Sequence, residues 1–108
     1  MMITDELLLE KGYKEYEPNI FFNPYSNRFF QKEFKNEKGQ TRYFVNLVEY
    51  GGDEDNEITY NVDLQFDKEN YTMNITIFSL APQIRLEEIE QEIEEIWFNL
   101  DCKYYSLD

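Results

Sequence analysis

The chain contains no histidine, a single cysteine, and 10 basic residues against 23 acidic ones. Without histidine it lacks the commonest general base and metal ligand, and one cysteine excludes an internal disulfide. Cys102 has only one lysine beside it in an acidic, tyrosine-rich tail, which is a poor setting for a reactive thiolate. No glycine-rich phosphate loop is present, because Gly51-Gly52 is followed by acids. These absences predict a protein that is not an enzyme and that uses no cofactor and no metal.

Long apolar runs are absent too. No window approaches the ~18 apolar residues of a membrane span, so we expect no membrane partner. The start, MMITDELLLEKG, carries acids where a secretory signal needs a basic start and an apolar run. Together with the lone cysteine, these features predict a cytoplasmic protein.

The net charge of −13 favours basic partners and argues against direct contact with nucleic acid. Hydrophobic residues make up 42% of the chain and aromatic residues 18%, which is typical of a folded protein. With 108 residues, the chain is expected to form a single domain, 1–108.

Hydrophobic periodicity predicts the secondary structure. Thr4 is a suitable N-cap and Gly12 a suitable end for a short first helix. Period-two patterns and turn residues predict four strands at 28–35, 41–50, 58–66 and 71–78. We therefore expect an α+β fold with two layers. A four-stranded antiparallel sheet of two hairpins carries the short N-terminal helix and a long C-terminal amphipathic helix on one face. The loop 17–27 is expected to cover the other face, and the tail after residue 100 is left open between an edge strand and packed tyrosines.

The long helix is predicted at residues 86–100, LEEIEQEIEEIWFNL. Its apolar residues recur every three or four positions and form one stripe. This stripe consists of Leu86, Ile89, Ile93, Ile96, Trp97 and Leu100. Six glutamates lie between them, and no lysine or arginine within the helix compensates their charge.

The glutamates allow two interpretations. The first is a solvated surface that keeps an aromatic-rich protein soluble. The second is a binding surface, because a row of carboxylates can imitate a phosphate backbone and occupy the basic groove of a nucleic-acid-binding protein. For the second we predict a partner-binding set made up of Glu87, Glu88, Glu90, Glu94 and Glu95, together with the loop acids Asp53, Glu54 and Asp55.

Two other patterns are weaker. The alternation of acids at 53, 55 and 57 resembles a calcium loop, but Ile58 and Leu64 stand where that loop needs a glycine and a bidentate glutamate. Five of the 10 basic residues fall in the first predicted hairpin, between Arg28 and Arg42. Interleaved with aromatics, they faintly resemble a platform for single-stranded nucleic acid, although the overall charge argues against that use.

Three stretches share a resemblance: ITDELLLEKGYKEYEP, FFQKEFKNEKGQTRYFVNLVEY and LEEIEQEIEEIWFNLDCKYY. Together, and in this order, they resemble a loose group of small, acidic, uncharacterised proteins encoded by phages and prophages of Gram-positive bacteria. The resemblance lends no site residues. It implies a setting in the cytoplasm of a bacterial host cell and a role in binding and blocking host proteins.

The sequence thus predicts a non-catalytic acidic binding protein. Its partner would be a host nucleic-acid-handling or defence protein. The chain would inhibit this protein by occupying its basic surface, and DNA mimicry is one way to do so. One alternative is an assembly protein that forms a homodimer or larger homo-oligomer through exposed aromatic strands. A second alternative is a small-ligand binder with a pocket between the sheet and loop 17–27.

Overall fold

The computed structural model describes residues 3–18, 25–54, 57–68, 71–80 and 85–104. Two helices and five strands follow one another along the chain. They are α1 (Asp5–Glu10), β1 (Lys14–Tyr16), β2 (Arg28–Lys35), β3 (Thr41–Tyr50), β4 (Thr59–Lys68), β5 (Tyr71–Leu80) and α2 (Leu86–Tyr104). The strands form one antiparallel sheet in the order β1-β2-β3-β4-β5, so each strand lies beside its neighbour in sequence. The predicted α+β class is confirmed.

Both ends of α1 follow from local chemistry. The Thr4 side chain accepts a hydrogen bond from the Leu7 amide at 3.2 Å, as expected of an N-cap. At the other end the Tyr13 amide donates to the Leu8 carbonyl at 2.9 Å, and Gly12 has a φ of +97°. This is a Schellman motif, in which a glycine adopts the left-handed conformation and the flanking apolar residues meet. Leu8 and Tyr13 are both buried, so the short helix is held against the sheet.

The prediction of four strands is wrong by one, because β1 forms a fifth strand at the edge of the sheet. Glu15 pairs with Phe30 and Tyr16 with Phe29 of β2. All three β1 residues are exposed, so this short strand lacks the apolar alternation by which a strand is recognised in a sequence. The two predicted hairpins are present, and β3 also pairs with β4.

One face of the sheet carries the core. Tyr60, Val62, Leu64 and Phe66 of β4 are buried on that face, as their alternation predicts. The stripe of α2 packs there, with Leu86, Ile89 and Ile93 buried and each contributing ~1.5–3 kcal/mol relative to exposure. Trp97 lies between the rings of Tyr43 and Phe66, with centroids 5.4 and 5.1 Å away. The predicted packing of the long helix on one face is confirmed.

On β4 the opposite face is polar but not uniformly exposed to solvent, and on β2 and β3 the same face also carries Phe29, Phe44 and the buried Val48. Asn46 of β3 is 5% exposed and donates to Gln65 of β4 at 2.8 Å, while Gln31 of β2 donates to Asn46 at 2.9 Å. Asp63 is also only 5% exposed, and among the described residues its Oδ1 atom has no hydrogen-bond partner. The polar face therefore contains a buried carboxylate that alternation alone assigns to solvent.

The core face is covered unevenly. The contacts of α2 reach Lys32 on β2, Arg42 on β3 and Phe66 on β4. On β5, Tyr71 and Met73 point toward the same face but are 68% and 38% exposed. A helix about 10 Å wide cannot cover five strands spaced about 4.8 Å apart, so Tyr71 and Met73 stay open while Ile75 and Ile77 of the same strand still pack against the core.

Some predictions fall outside the described residues. Most of the expected cover at 17–27, the loop acid Asp55 and the last four residues of the tail belong to this group. Residues 101–104 continue α2 rather than forming an edge strand. In the described part of the chain, neither helix combines the length and apolar character needed to cross a membrane.

Candidate functional site

The glutamates of α2 divide into two rows. At 100° per residue, Glu87, Glu90 and Glu94 fall on the flank of the helix beside the buried stripe. Glu88, Glu92 and Glu95 fall on the opposite flank of the helix, about 120° from the middle of the stripe. We call these sets the inner row and the outer row.

Glu90 is the most enclosed member of the inner row. Its carboxylate lies 3.2 Å from the Lys32 ammonium and accepts a hydrogen bond from the Tyr13 hydroxyl at 3.1 Å. Both of its partners come from the sheet side, and the Glu90 side chain is 19% exposed. Burial raises the pKa of Tyr13, and the adjacent Glu90 carboxylate raises it further, so the phenol remains a donor. Glu90 thus serves the fold, because it satisfies a buried hydroxyl and a half-buried cation.

Glu94 is paired in the same way, one turn further along. It accepts hydrogen bonds from the Arg42 guanidinium and the Tyr43 hydroxyl. Partial burial opposes ionisation of Glu94, but these two donors outweigh it and lower its pKa. For Tyr43, burial and then the bond to Glu94 raise the pKa of the phenol. An ion pair and a hydrogen bond therefore join the start of β3 to the middle of α2.

Glu87 completes the inner row. Its carboxylate lies 3.3 Å from the ammonium of Lys11, the residue that ends α1, and both side chains are well exposed. An ion pair this open contributes little to stability. The inner row therefore meets three cations from other parts of the chain. The helix itself offers these glutamates no cation, but the fold supplies one each to Glu87, Glu90 and Glu94 from elsewhere in the chain.

The outer row behaves differently. Glu88, Glu92 and Glu95 are all exposed, and within the described part of the chain none forms an ion pair. Two of them, Glu88 and Glu95, belong to the predicted binding set. The predicted binding set does not contain Glu92, although its spacing of four from Glu88 and three from Glu95 places it on the same face.

The loop acids lie at a distance from much of this surface. Asp53 and Glu54 are exposed and follow the Tyr50 end of β3, whereas Glu94 binds Arg42 near its other end. Along a strand, the eight residues between Arg42 and Tyr50 span roughly 25 Å. The structure does not bring the loop acids next to Glu94 and Glu95, and Asp55 is outside the described residues.

A third group of acids surrounds Arg28, which the sequence did not single out as a centre. The guanidinium binds Asp5 of α1 through two bonds of 2.7 and 2.8 Å, and it also contacts Glu15 of β1 and Glu49 of β3. The bond to Asp5 is the main cause of the raised pKa of Arg28. The Tyr60 hydroxyl lies 3.4 Å from Glu49, and burial and then this carboxylate raise the pKa of Tyr60 to about 12. This cluster holds four elements together, with three carboxylates around the Arg28 guanidinium.

The basic hairpin is similarly occupied. Arg28, Lys32 and Arg42 bind carboxylates as described, and Lys35 lies 3.4 Å from Glu33. Four of the five cations of this hairpin are therefore neutralised within the molecule, and only Lys38 has no ion pair among the described residues, which weakens the interpretation as a platform for nucleic acid.

An open cleft of about 640 Å³ lies near the Tyr50 end of β3. It is lined by Tyr25, Asn27, Tyr50, Gly51, Asp53, Glu57 and Thr59. Asn27 anchors one wall, because its side chain donates to the Gly51 carbonyl at 2.7 Å and to Glu49 at 3.2 Å. The described lining residues combine two phenol rings with two carboxylates and include no cation.

Similarity to known proteins adds nothing to this geometry. No protein-family model matches the chain, and no curated protein or solved structure matches it either.

Proposed function

We propose that this chain is a non-catalytic acidic binding protein that occupies the basic surface of a bacterial nucleic-acid-handling or defence protein and inhibits it. The outer row is the observation that carries the proposal. Its three carboxylates are exposed, lie on one helix face and have no cation among the described residues. A net charge of −13 adds a long-range attraction for a basic partner.

The dimensions of the outer row limit what it can imitate. Residues 88 to 95 rise about 10 Å along the helix, so the row carries one charge per roughly 5 Å. One strand of duplex DNA carries a charge every ~3.4 Å along the axis. The row therefore resembles a sparse single strand rather than a duplex, and it fits a narrow strip of lysines and arginines.

The outer row also lacks a purely local explanation. Glu88 and Glu92 stand at i,i+4, and Glu92 and Glu95 at i,i+3, where like charges destabilise a helix by ~0.2–0.5 kcal/mol per pair. A helix that needs only solubility can place lysine at one of these positions and gain an ion pair. A surface that binds a basic partner regains this energy in the complex.

The experiment compares two triple variants of equal charge. In the first, Glu88, Glu92 and Glu95 become Gln; in the control, the exposed Glu6, Glu10 and Glu37 become Gln. Immobilised wild-type chain is used to capture proteins from a Gram-positive bacterial lysate, and captured proteins that duplex DNA displaces are titrated with each variant. We expect the outer-row variant to weaken binding about tenfold or more and the control to weaken it far less.

Two results would reject this function. One is binding that does not weaken as salt rises, since exposed charges are screened. The other is an equal loss of affinity in both triple variants, which would mean that only net charge matters and that the outer row is not the contact surface.

The open cleft supports a second candidate function, the binding of a small cationic ligand. The two tyrosine rings and the carboxylates of Asp53 and Glu57 match the needs of an organic amine. Spermidine titrated into the protein by calorimetry tests this. Binding that Tyr50→Ala abolishes supports the cleft, and binding that the outer-row variant abolishes instead assigns the amine to the helix.

A further inference from the structure

The two edges of the sheet differ in how they are protected. At one edge, β1 contains three residues, of which Lys14 and Glu15 are charged. Charged side chains and a short length are two devices that prevent an edge strand from pairing with another chain. At the other edge, β5 runs from Tyr71 to Leu80 and contains no charged residue. No further strand lies beside β5 among the described residues.

The lack of charge around β5 is unusual for this chain. Asp, Glu, Lys and Arg make up 31% of its residues, yet residues 70–84 contain none of them, the longest such run in the sequence. The strand contains no proline either, and it is rich in β-branched residues. Segments of this kind pair readily when they lie at an edge.

One protective feature is present and sets the length of the open edge. The register with β4 shifts between Val62 and Asp63, where β5 bulges around Ile77. A bulge twists an edge away from a partner. It leaves Tyr71 to Thr76 as a regular stretch, with Tyr71, Met73 and Ile75 on the core face and Thr72, Asn74 and Thr76 on the polar face.

We propose that β5 is a dimerisation edge, which pairs antiparallel with β5 of a second copy over Tyr71–Ile75, centred on Met73, and joins the two sheets into one. The second copy fits for a geometric reason. A two-fold axis perpendicular to the sheet keeps each face in register, so apolar side chains meet apolar ones and polar side chains meet polar ones.

Charge and exposure support the same occupant. Two copies with a net charge of −13 repel each other, and they approach at least cost where neither carries a charge. Tyr71 and Met73, 68% and 38% exposed in one copy, gain cover from the second copy. The contact involves one strand edge and few side chains, so it falls at the small end of specific interfaces, below about 1,200 Å². We therefore expect a dimer with a dissociation constant on the order of micromolar.

The test uses two double variants that add the same charge. Tyr71→Lys with Met73→Lys alters the β5 edge, and Leu9→Lys with Tyr16→Lys alters exposed apolar residues of α1 and β1. Both variants make the net charge less negative by two and therefore weaken the repulsion between copies. Analytical ultracentrifugation over a range of concentrations should show a wild-type dimer, a dissociation constant about tenfold higher or more for the β5 variant, and no loss of dimer for the control.

Hydrogen exchange gives a reading that needs no substitution. Wild-type protein at high concentration should show slower exchange in residues 71–75 than dilute protein, with no such change in 14–16. A wild-type chain that stays monomeric at every concentration overturns the proposal. So does an equal effect of the two variants, or growth beyond the dimer, which would indicate pairing of β5 with β1 of the next copy.

Discussion

The inner and outer rows of α2 consist of the same residue type on the same helix, yet the fold treats them differently. Glu90 and Glu94 bind Lys32 and Arg42 and also accept hydrogen bonds from two tyrosine hydroxyls. Glu88, Glu92 and Glu95 point into solvent. The difference between the rows is about 130° of rotation around the helix axis.

The number of acidic residues in a helix therefore differs from the number of unpaired carboxylates on its surface. The sequence of α2 contains six glutamates, but three of them, the inner row, are paired with cations in the folded protein. Glu90 and Glu94 of the inner row connect α2 to the sheet, whereas the outer row stays exposed and is the proposed contact for a partner. Substitutions in the two rows should therefore affect different properties, stability in one and binding in the other.

The largest effect on stability is expected at Glu90. Glu90→Leu removes the acceptor of the buried Tyr13 hydroxyl and the partner of Lys32. Leaving such donors without an acceptor should lower the free energy of unfolding by about 2 kcal/mol. Urea denaturation measures this, with Glu92→Leu as the control in the outer row. If the two variants lose stability equally, the distinction between the rows fails.

Asp63 is buried and no cation pairs with its carboxylate among the described residues, so its contribution to stability should depend on pH in the opposite sense to that of the inner row. Burial raises its pKa above the ordinary 3.8, and hydrogen bonds from Thr76 and Asn74 oppose this only in part. A raised pKa means that the folded state binds the proton more tightly, so this contribution to stability is lost as pH rises through the folded pKa.

The corresponding variant is Asp63→Asn. At neutral pH it should raise the free energy of unfolding by about 1 kcal/mol, because the buried charge is removed. The gain should disappear in acid, where the wild-type carboxyl is protonated too. Denaturant unfolding of both proteins across the acidic range measures it, and a gain independent of pH would contradict the assignment.

The pair of Glu94 and Arg42 should show the reverse pH dependence with a smaller energy. The Glu94 side chain is 45% exposed, so screening limits the coupling to about 0.5–1 kcal/mol. Its pKa lies below the ordinary 4.5, so the stabilisation is present above that pH and is lost as pH falls through the lower value. A double-mutant cycle with Glu94→Gln and Arg42→Gln should give this coupling at neutral pH and almost none in strong acid. A coupling that persists in acid would refute it.

The smallest effect is expected for the outer row. Glu88, Glu92 and Glu95 all changed to Gln should alter the free energy of unfolding by no more than ~0.5 kcal/mol. Any change should be a gain at low salt, because repulsion along the helix is relieved. Thermal unfolding at low and high salt measures this, and a clear loss of stability would show that the outer row has partners within the molecule.

Much of the architecture was predictable from the sequence. The start of α1 at Asp5, the β2 and β3 bounds, and the start of α2 at Leu86 agree with the predicted elements. Turn chemistry was reliable as well: Asn36 accepts from the amides of Lys38 and Gln40 at 2.9 Å. These features depend on neighbours within a few residues, and local periodicity and capping report such contacts directly.

The missed features depend on distant parts of the chain. β1 forms because β2 offers it an edge, and its own residues carry no strand pattern. Tyr71 and Met73 are exposed although they alternate like core residues, because α2 lies over the inner strands. The cluster around Arg28 contains carboxylates from three elements, and no residue spacing in the sequence predicts it.

For this protein, the sequence by itself determined that the last helix has one apolar side and one acidic side. The helical period of 3.6 residues places the apolar and acidic residues on different sides whatever the helix packs against. Only the tertiary structure decided which glutamates are neutralised. The cations and hydroxyls that bind Glu90 and Glu94 come from 51 to 77 positions away in the chain, and folding of the sheet brings them to one flank of the helix.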